Sequence, residues 1–207
     1  MKVLMINGSP NEHGCTYTAL SELQNALHSH GIETELLYLG KKPVAGCICC
    51  RHCRESDGRC VFDDQVNEIG ARLDEFDAIV AGSPVYYAGP SGQICAFLDR
   101  LFFCNQSRMA GKLAASVVSC RRGGATAAFD RLNKYFTIAN MMVVGSQYWN
   151  QVHGHDPETV VQDEEGMQTM RTLGANMAWL LKCIEAGKAA GVQPPEYEPF
   201  IPTDFIR

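Results

Sequence analysis

The stretch Lys2-Val3-Leu4-Met5-Ile6-Asn7-Gly8-Ser9-Pro10-Asn11-Glu12-His13-Gly14-Cys15-Thr16 passes from a short apolar run, through a polar loop with two glycines, into a helical pattern. Residues 2–6 read as a buried strand. Residues 16–30 read as a helix with Leu20, Leu23 and Leu27 on one face. A helix begins with unpaired backbone N–H groups and the positive end of its dipole, so a strand, a loop and a helix in this order make an anion site. Ser9 and Thr16 add hydroxyl donors, and Gly14-Cys15 lies where the loop enters the helix. The dinucleotide fingerprint G-x-G-x-x-G is absent. Gly14 is followed by Cys15-Thr16 rather than by the Lys-Ser/Thr that a triphosphate loop requires. A monophosphate ester such as the tail of FMN therefore fits better than a nucleoside triphosphate. The structural alternative is an ordinary βα turn capped by Ser or Thr.

Working outward, short β-rich runs alternate with longer helical patterns. Strands are predicted over residues 33–38, 78–81, 113–119 and 141–144. Helices are predicted over 63–74, 93–103 and 125–136, with 158–186 as one long helix or two short ones. Alternation of this kind implies an α/β fold, a doubly wound sheet of five parallel strands with helices on both faces. The expected strand order is 2-1-3-4-5, with ligands beyond the carboxyl ends of the strands, where the order reverses. One domain over 1–190 accommodates all of these elements. Residues 191–207, with Pro194, Pro195, Pro199 and Pro202, read as an extended tail.

Two further loops fall at that same sheet edge. After the third strand comes Gly82-Ser83-Pro84-Val85-Tyr86-Tyr87-Ala88-Gly89-Pro90. Pro84 stiffens it, Val85, Tyr86 and Tyr87 offer flat apolar surface for a ring system, and Gly89 allows close backbone approach. After the fourth strand comes Ser119-Cys120-Arg121-Arg122-Gly123-Gly124-Ala125-Thr126. Here Gly123 and Gly124 again suit a backbone close to a ligand, and Arg121 suits a flavin carbonyl or a nicotinamide-nucleotide phosphate. The bland alternatives are half-buried tyrosines and a solvated Arg pair.

Five of the ten cysteines lie between Cys47 and Cys60. Cys47, Cys50, Cys53 and Cys60 give the spacing C-x2-C-x2-C-x6-C, and Cys49 is left over. Closely spaced thiolates are what an iron–sulfur cubane requires, four per cluster. Zinc is an alternative, although structural zinc sites usually use two separated pairs. Plain thiols are another. Further on, residues 146–155 combine Tyr148, Trp149, His153 and His155, which suits a cover over a cofactor or a packed loop. The stripe Met167, Met170, Leu173, Met177 and Leu181 has helical spacing and reads as core or as a dimer interface.

The bulk numbers set limits. The chain has 207 residues, 46% of them hydrophobic, and a net charge of −5 without a long basic run. That argues against nucleic acid as a partner. The N-terminal apolar run is too short for a signal-peptide core and no segment reaches the length of a membrane span, so a cytoplasmic location with reduced thiols is expected.

Taken together, the three loops, Val61-Phe62-Asp63-Asp64 and the helix ending Phe97-Leu98-Asp99-Arg100 resemble the NADPH-dependent FMN reductase family of the flavodoxin-like superfamily. The Cys spacing looks like that of its iron–sulfur flavoprotein branch. The resemblance covers about residues 1–144. It implies that Ser9, Asn11, Cys15 and Thr16 hold the FMN phosphate, that Pro84 to Tyr87 line the isoalloxazine, and that Gly123 and Gly124 lie near its other edge. Many relatives carry Arg or Lys where this chain has Asn11, so phosphate binding would lean more on backbone donors. The implied activity is hydride transfer from NAD(P)H through FMN to a small acceptor such as a quinone, an azo or nitro compound, or free flavin, with ping-pong kinetics. The implied assembly is a homodimer or homotetramer. Two other readings stand beside it: a ferredoxin-linked iron–sulfur electron carrier, and a thiol-based redox sensor.

Overall fold

A computed structural model describes residues 1–205 of the chain. Five parallel strands form its centre in the order β2 (Glu33–Tyr38), β1 (Lys2–Asn7), β3 (Ala78–Tyr86), β5 (Leu113–Cys120), β6 (Met142–Val143). Counting only these five, the order is the expected 2-1-3-4-5. Two extra short strands complete the sheet: β4 (Gly89–Pro90), antiparallel to β3, and β7 (Gln151–His153), parallel to β5.

Alternation along the strands divides the core. Val3, Met5, Ala78, Val80, Ala115 and Val117 face one side, where they meet Leu20, Leu23 and Leu27 of α1 (Cys15–Ser29) and Met170, Leu173 and Met177 of α7 (Glu164–Ala189). Each of those three leucines is fully buried, worth about 1.5–3 kcal/mol apiece. The Met stripe is therefore core. The two helices cross so closely at Gly174 that a Cβ there would stand 2.6 Å from that of Ala26. Leu4, Ile6, Ile79, Ala81, Ala114 and Val118 face the opposite side, under α3 (Gln65–Ala71), α4 (Gly92–Asn105) and α5 (Ala125–Ile138). Two short helices, α2 (His52–Glu55) and α6 (Pro157–Val160), lie in connections. Among the described residues no helix is long and apolar enough to cross a membrane.

The structure departs from the sequence expectations in four places. β3 does not end at residue 81. Gly82, Ser83 and Pro84 still pair with β5, and the strand then turns back on itself as a β3–β4 hairpin. The fifth strand is split: β6 borders the start of β5 and β7 its end, while residues 145–149 between them carry no strand. The segment 158–186 becomes α6 followed by α7, because the Asp163 carboxylate caps α7 by accepting from Gly166 N at 3.0 Å. Residues 63–74 hold a shorter helix. Asp64 caps it from Val66 N at 3.1 Å, and a 3-10 turn, Leu73–Glu75, follows. Residues 192–205 carry no regular secondary structure, and the last two residues of the expected tail lie outside the described residues.

At the sheet's far end Glu35 accepts both terminal nitrogens of Arg72, at 2.8 and 2.7 Å, and Lys2 Nζ at 2.7 Å. Hydrogen bonding to Arg72, then to Lys2, holds its carboxyl down at about 2 against an ordinary 4.5. A lowered carboxylate contributes stability that is fully present above pH 4.5 and lost as pH falls through about 2. Glu35→Gln is thus expected to cost about 1 kcal/mol at pH 7, given partial solvent screening. The difference from the parent should shrink between pH 4.5 and about 2 in urea titrations, and a pH-independent difference would refute the assignment.

Candidate functional site

The loop 8–14 is gripped from outside, which leaves its concave side free. Gly8 N donates to Gly82 O at 2.9 Å. Gly8 O accepts from Ser91 Oγ at 2.6 Å, and Ser91 also caps α4 by accepting from Ile94 N. Tyr38 Oη donates to Pro10 O at 2.8 Å. Within the loop, buried Asn7 donates to Glu12 O and accepts from Ser9 N, and Ser9 Oγ accepts from Asn11 N. The helix that follows, α1, starts at Gly14 without a side-chain cap and without an acidic residue in its first turn. Its leading N–H groups therefore keep their affinity for an anion.

Above this loop lies a cleft of about 610 Å³, within the usual range of small-molecule sites. Nine of the twelve sequence-predicted cofactor residues line it: Ser9, Asn11, Gly14, Cys15, Thr16, Pro84, Val85, Tyr86 and Arg121. Thr16 and Ser119 join hydroxyls at 2.9 Å, tying the start of α1 to the end of β5. Burial pushes the Cys15 and Cys120 thiols up, so both stay neutral and neither opposes a phosphate.

The other three predicted residues lie outside the lining. Tyr87 and Ala88 form the tip of the β3–β4 hairpin, both with positive φ (49° and 60°), the pattern of a I′ turn. The Tyr87 ring is fully exposed there. Gly123 precedes α5, and Gly124, at φ 94°, is its N-cap. A Cβ on Gly124 would stand 2.8 Å from Ala88 Cα, so this glycine fixes the hairpin tip without touching the cleft.

Sequence reasoning missed several lining residues. Lys41 follows β2 and brings an exposed cation to the cleft that Asn11 does not supply. Asp156 and Pro157, just beyond the expected 146–155 cover, help close the far side. Of the expected 146–155 cover, only its last two residues reach the cleft. Tyr148 and Trp149 pack edge to face on one another, centroids 5.0 Å apart, outside the lining. His153 is drawn the other way, its N–H donating to Asp163 at 2.7 Å.

A second, smaller hollow of about 20 Å³ lies under the Cys-rich loop. Cys47, Cys50, Cys53 and Cys60 all line it, together with Cys104, Phe62, Phe103 and Arg100, while Cys49 does not. Burial and the neighbouring Cys53 and Cys60 thiols push Cys104 up to about 12. Among the described residues no three ligating side chains are gathered closely enough to grip an ion as the loop stands. The donor chemistry nevertheless fits an iron–sulfur group: five thiols line one hollow, the four spaced ones and Cys104, no carboxylate lines it, and a guanidinium N–H already points at one sulfur. Enclosing such a group requires the loop around Cys47 to Cys53 to draw outward, which its exposure permits.

Residues 1–156 match the family model described as NADPH-dependent FMN reductase. An iron–sulfur flavoprotein of Methanocaldococcus jannaschii is 35% identical over 195 residues, covering 89% of this chain and all of that one. An iron–sulfur flavoprotein of Methanosarcina thermophila is 27% identical over 192 residues, covering 91% and 99%. Among solved structures, an NAD(P)H:quinone oxidoreductase from Methanothermobacter marburgensis superposes with a TM-score of 0.65 at 15% identity, over 86% of this chain and 96% of that one. At that identity the likeness speaks to the flavodoxin-like fold.

Proposed function

The chain belongs to the NADPH-dependent FMN reductase family, and we propose that it is an oxidoreductase carrying FMN in the 610 Å³ cleft and a [4Fe–4S] cluster on Cys47, Cys50, Cys53 and Cys60. The observation that carries this reading is the convergence of all four spaced cysteines on one hollow, beside a loop that also serves the cleft. Lys41 lines the cleft and Cys47 the hollow, so the chain between them limits their Cα atoms to at most ~22 Å apart. When bound, FMN would supply hydride and single-electron chemistry, and the cluster single-electron steps alone.

The protein's own part is binding and orientation. The free N–H groups at the start of α1 and the Ser9 hydroxyl would hold the phosphate. Pro84, Val85 and Tyr86 would form the wall against the ring, and Lys41 and Arg121 would provide positive charge at the rim. Neutral Cys15 and Cys120 add no negative charge of their own to the cleft, which Glu12 and Asp156 also line. No side chain is needed as a general base. The exposed rim cations also suit a nicotinamide nucleotide as direct donor, with a quinone, an azo or nitro compound, or free flavin as acceptor.

Protein purified without oxygen decides between the readings. We expect visible flavin absorption, about four irons and four sulfides per chain, and electron uptake from reduced ferredoxin. Bleaching of the flavin by NADH or NADPH at a comparable rate would establish the nicotinamide as donor. Protein with neither iron nor flavin after reconstitution would overturn the proposal and leave a thiol-based sensor.

A further inference from the structure

Among the described residues Arg100 is the one large charged side chain buried completely, and it does not line the cleft. It lies on α4, under the Cys-rich loop. Its guanidinium forms a two-pronged pair with Asp64, Nη1 to Oδ2 at 2.6 Å and Nη2 to Oδ1 at 2.9 Å. It donates to Ala45 O at 3.3 Å and to Phe62 O at 3.2 Å, so it gathers the chain on either side of the cysteine segment. Its remaining donor, Nε–H, points at Cys60 Sγ at 3.2 Å. Asp64 alone would have satisfied the charge, but the fork reaches past it to a sulfur.

A lysine would not reproduce this. Its single ammonium cannot hold a carboxylate with two parallel bonds and still reach two carbonyls and a thiol on separate sides. The arrangement therefore uses the planarity of arginine, which orients Nε toward Cys60 whenever the other two nitrogens are engaged by Asp64.

We propose that Arg100 is a positioning residue that sets the reduction potential of the group held by the cysteines, through its N–H to the Cys60 sulfur and its buried positive charge. This rests on the cluster reading above. Adding one electron to a cubane makes it more negative without breaking a bond, and a donor and a cation at a ligand sulfur stabilise that extra charge. The potential is therefore held above the value the four thiolates alone would give.

The test is an anaerobic redox titration of the full chain with dithionite as reductant, following the cluster and the flavin separately, in the parent, Arg100→Gln and Arg100→Lys. Iron, sulfide and flavin are counted in each sample first. Arg100→Gln is expected to lower the cluster midpoint by at least a tenfold change in the one-electron equilibrium, about 59 mV. The flavin midpoint should stay put. Arg100→Lys keeps the charge but not the fork, and should fall by a smaller amount. A loaded Arg100→Gln cluster at the parental midpoint overturns the proposal while leaving the cluster reading intact. If Arg100→Gln does not load, Arg100→Lys decides: a lowered midpoint supports the role and an unmoved one overturns it. A parent without iron or sulfide removes the cluster reading and this inference with it.

Discussion

Asp64→Ala is expected to destabilise the protein by about 3–5 kcal/mol, because it strands a fully buried guanidinium without its counter-charge. The pair is asymmetric. The Arg100 side chain has no solvent exposure, whereas that of Asp64 is 35% exposed. Losing Arg100 leaves a carboxylate that water can reach, but losing Asp64 leaves a cation with only two carbonyls and a thiol. The same carboxylate caps α3, so the substitution also removes that cap, worth ~1 kcal/mol. Urea unfolding of the cofactor-free protein measures the sum. A loss under 1 kcal/mol would mean that Arg100 escapes to solvent and that the buried geometry is not maintained.

Gly8→Ala is the second large effect. A Cβ at this position would stand 2.6 Å from Ile94 Cβ, 2.9 Å from Ile94 Cδ1 and 3.1 Å from Gly82 O. Neither Ile94 Cβ nor a strand carbonyl is free to swing aside. The loop or α4 must shift, and overpacking of this kind costs about 1–3 kcal/mol. The shift falls on the backbone that carries Ser9 and the entry to α1, so FMN affinity should drop at least tenfold, about 1.4 kcal/mol. Fluorescence titration of the cofactor-free protein with FMN gives the affinity directly. A dissociation constant within twofold of the parent would show that the loop does not hold the phosphate.

Much of this was legible in the sequence because it is local. The alternation of apolar runs and helical patterns gave five parallel strands in the right order, and the loop singled out after β1 does line the cleft. The cysteine spacing alone singled out four sulfurs and set Cys49 apart, and those four share a hollow. What stayed hidden depends on contacts between distant residues. Lys41 belongs to no motif, and it reaches the cleft only because β2 ends beside the loop after β1. The hairpin tip at Tyr87-Ala88 lacks the Asn-Gly signal of a I′ turn. Its two positive φ angles are imposed from outside by the packing of Gly124. Arg100 reads as one cation on an amphipathic helix, and nothing local says that a loop some forty residues earlier folds over it. The split of the fifth strand stayed hidden for a related reason: β6 falls within the expected strand 141–144, but β7, three residues long, forms only with β5 as its template.

The crossover from β2 to β3 also orders events in time. β1 pairs with β3 across some seventy intervening residues, and the Cys-rich loop lies inside that span. Closing so long a loop is an entropic hurdle met before its contacts are rewarded, which makes parallel sheets slow to form. Arg100, which gathers the two ends of the cysteine segment, comes later still in the chain. A growing polypeptide therefore exposes Cys47 through Cys60 as unheld thiols well before the residue that organises them has been synthesised. On the cluster reading proposed above, iron and sulfide delivered during that interval would meet a flexible string of sulfurs; delivered afterwards, they would meet thiols whose loop is already tied down at both ends by Arg100.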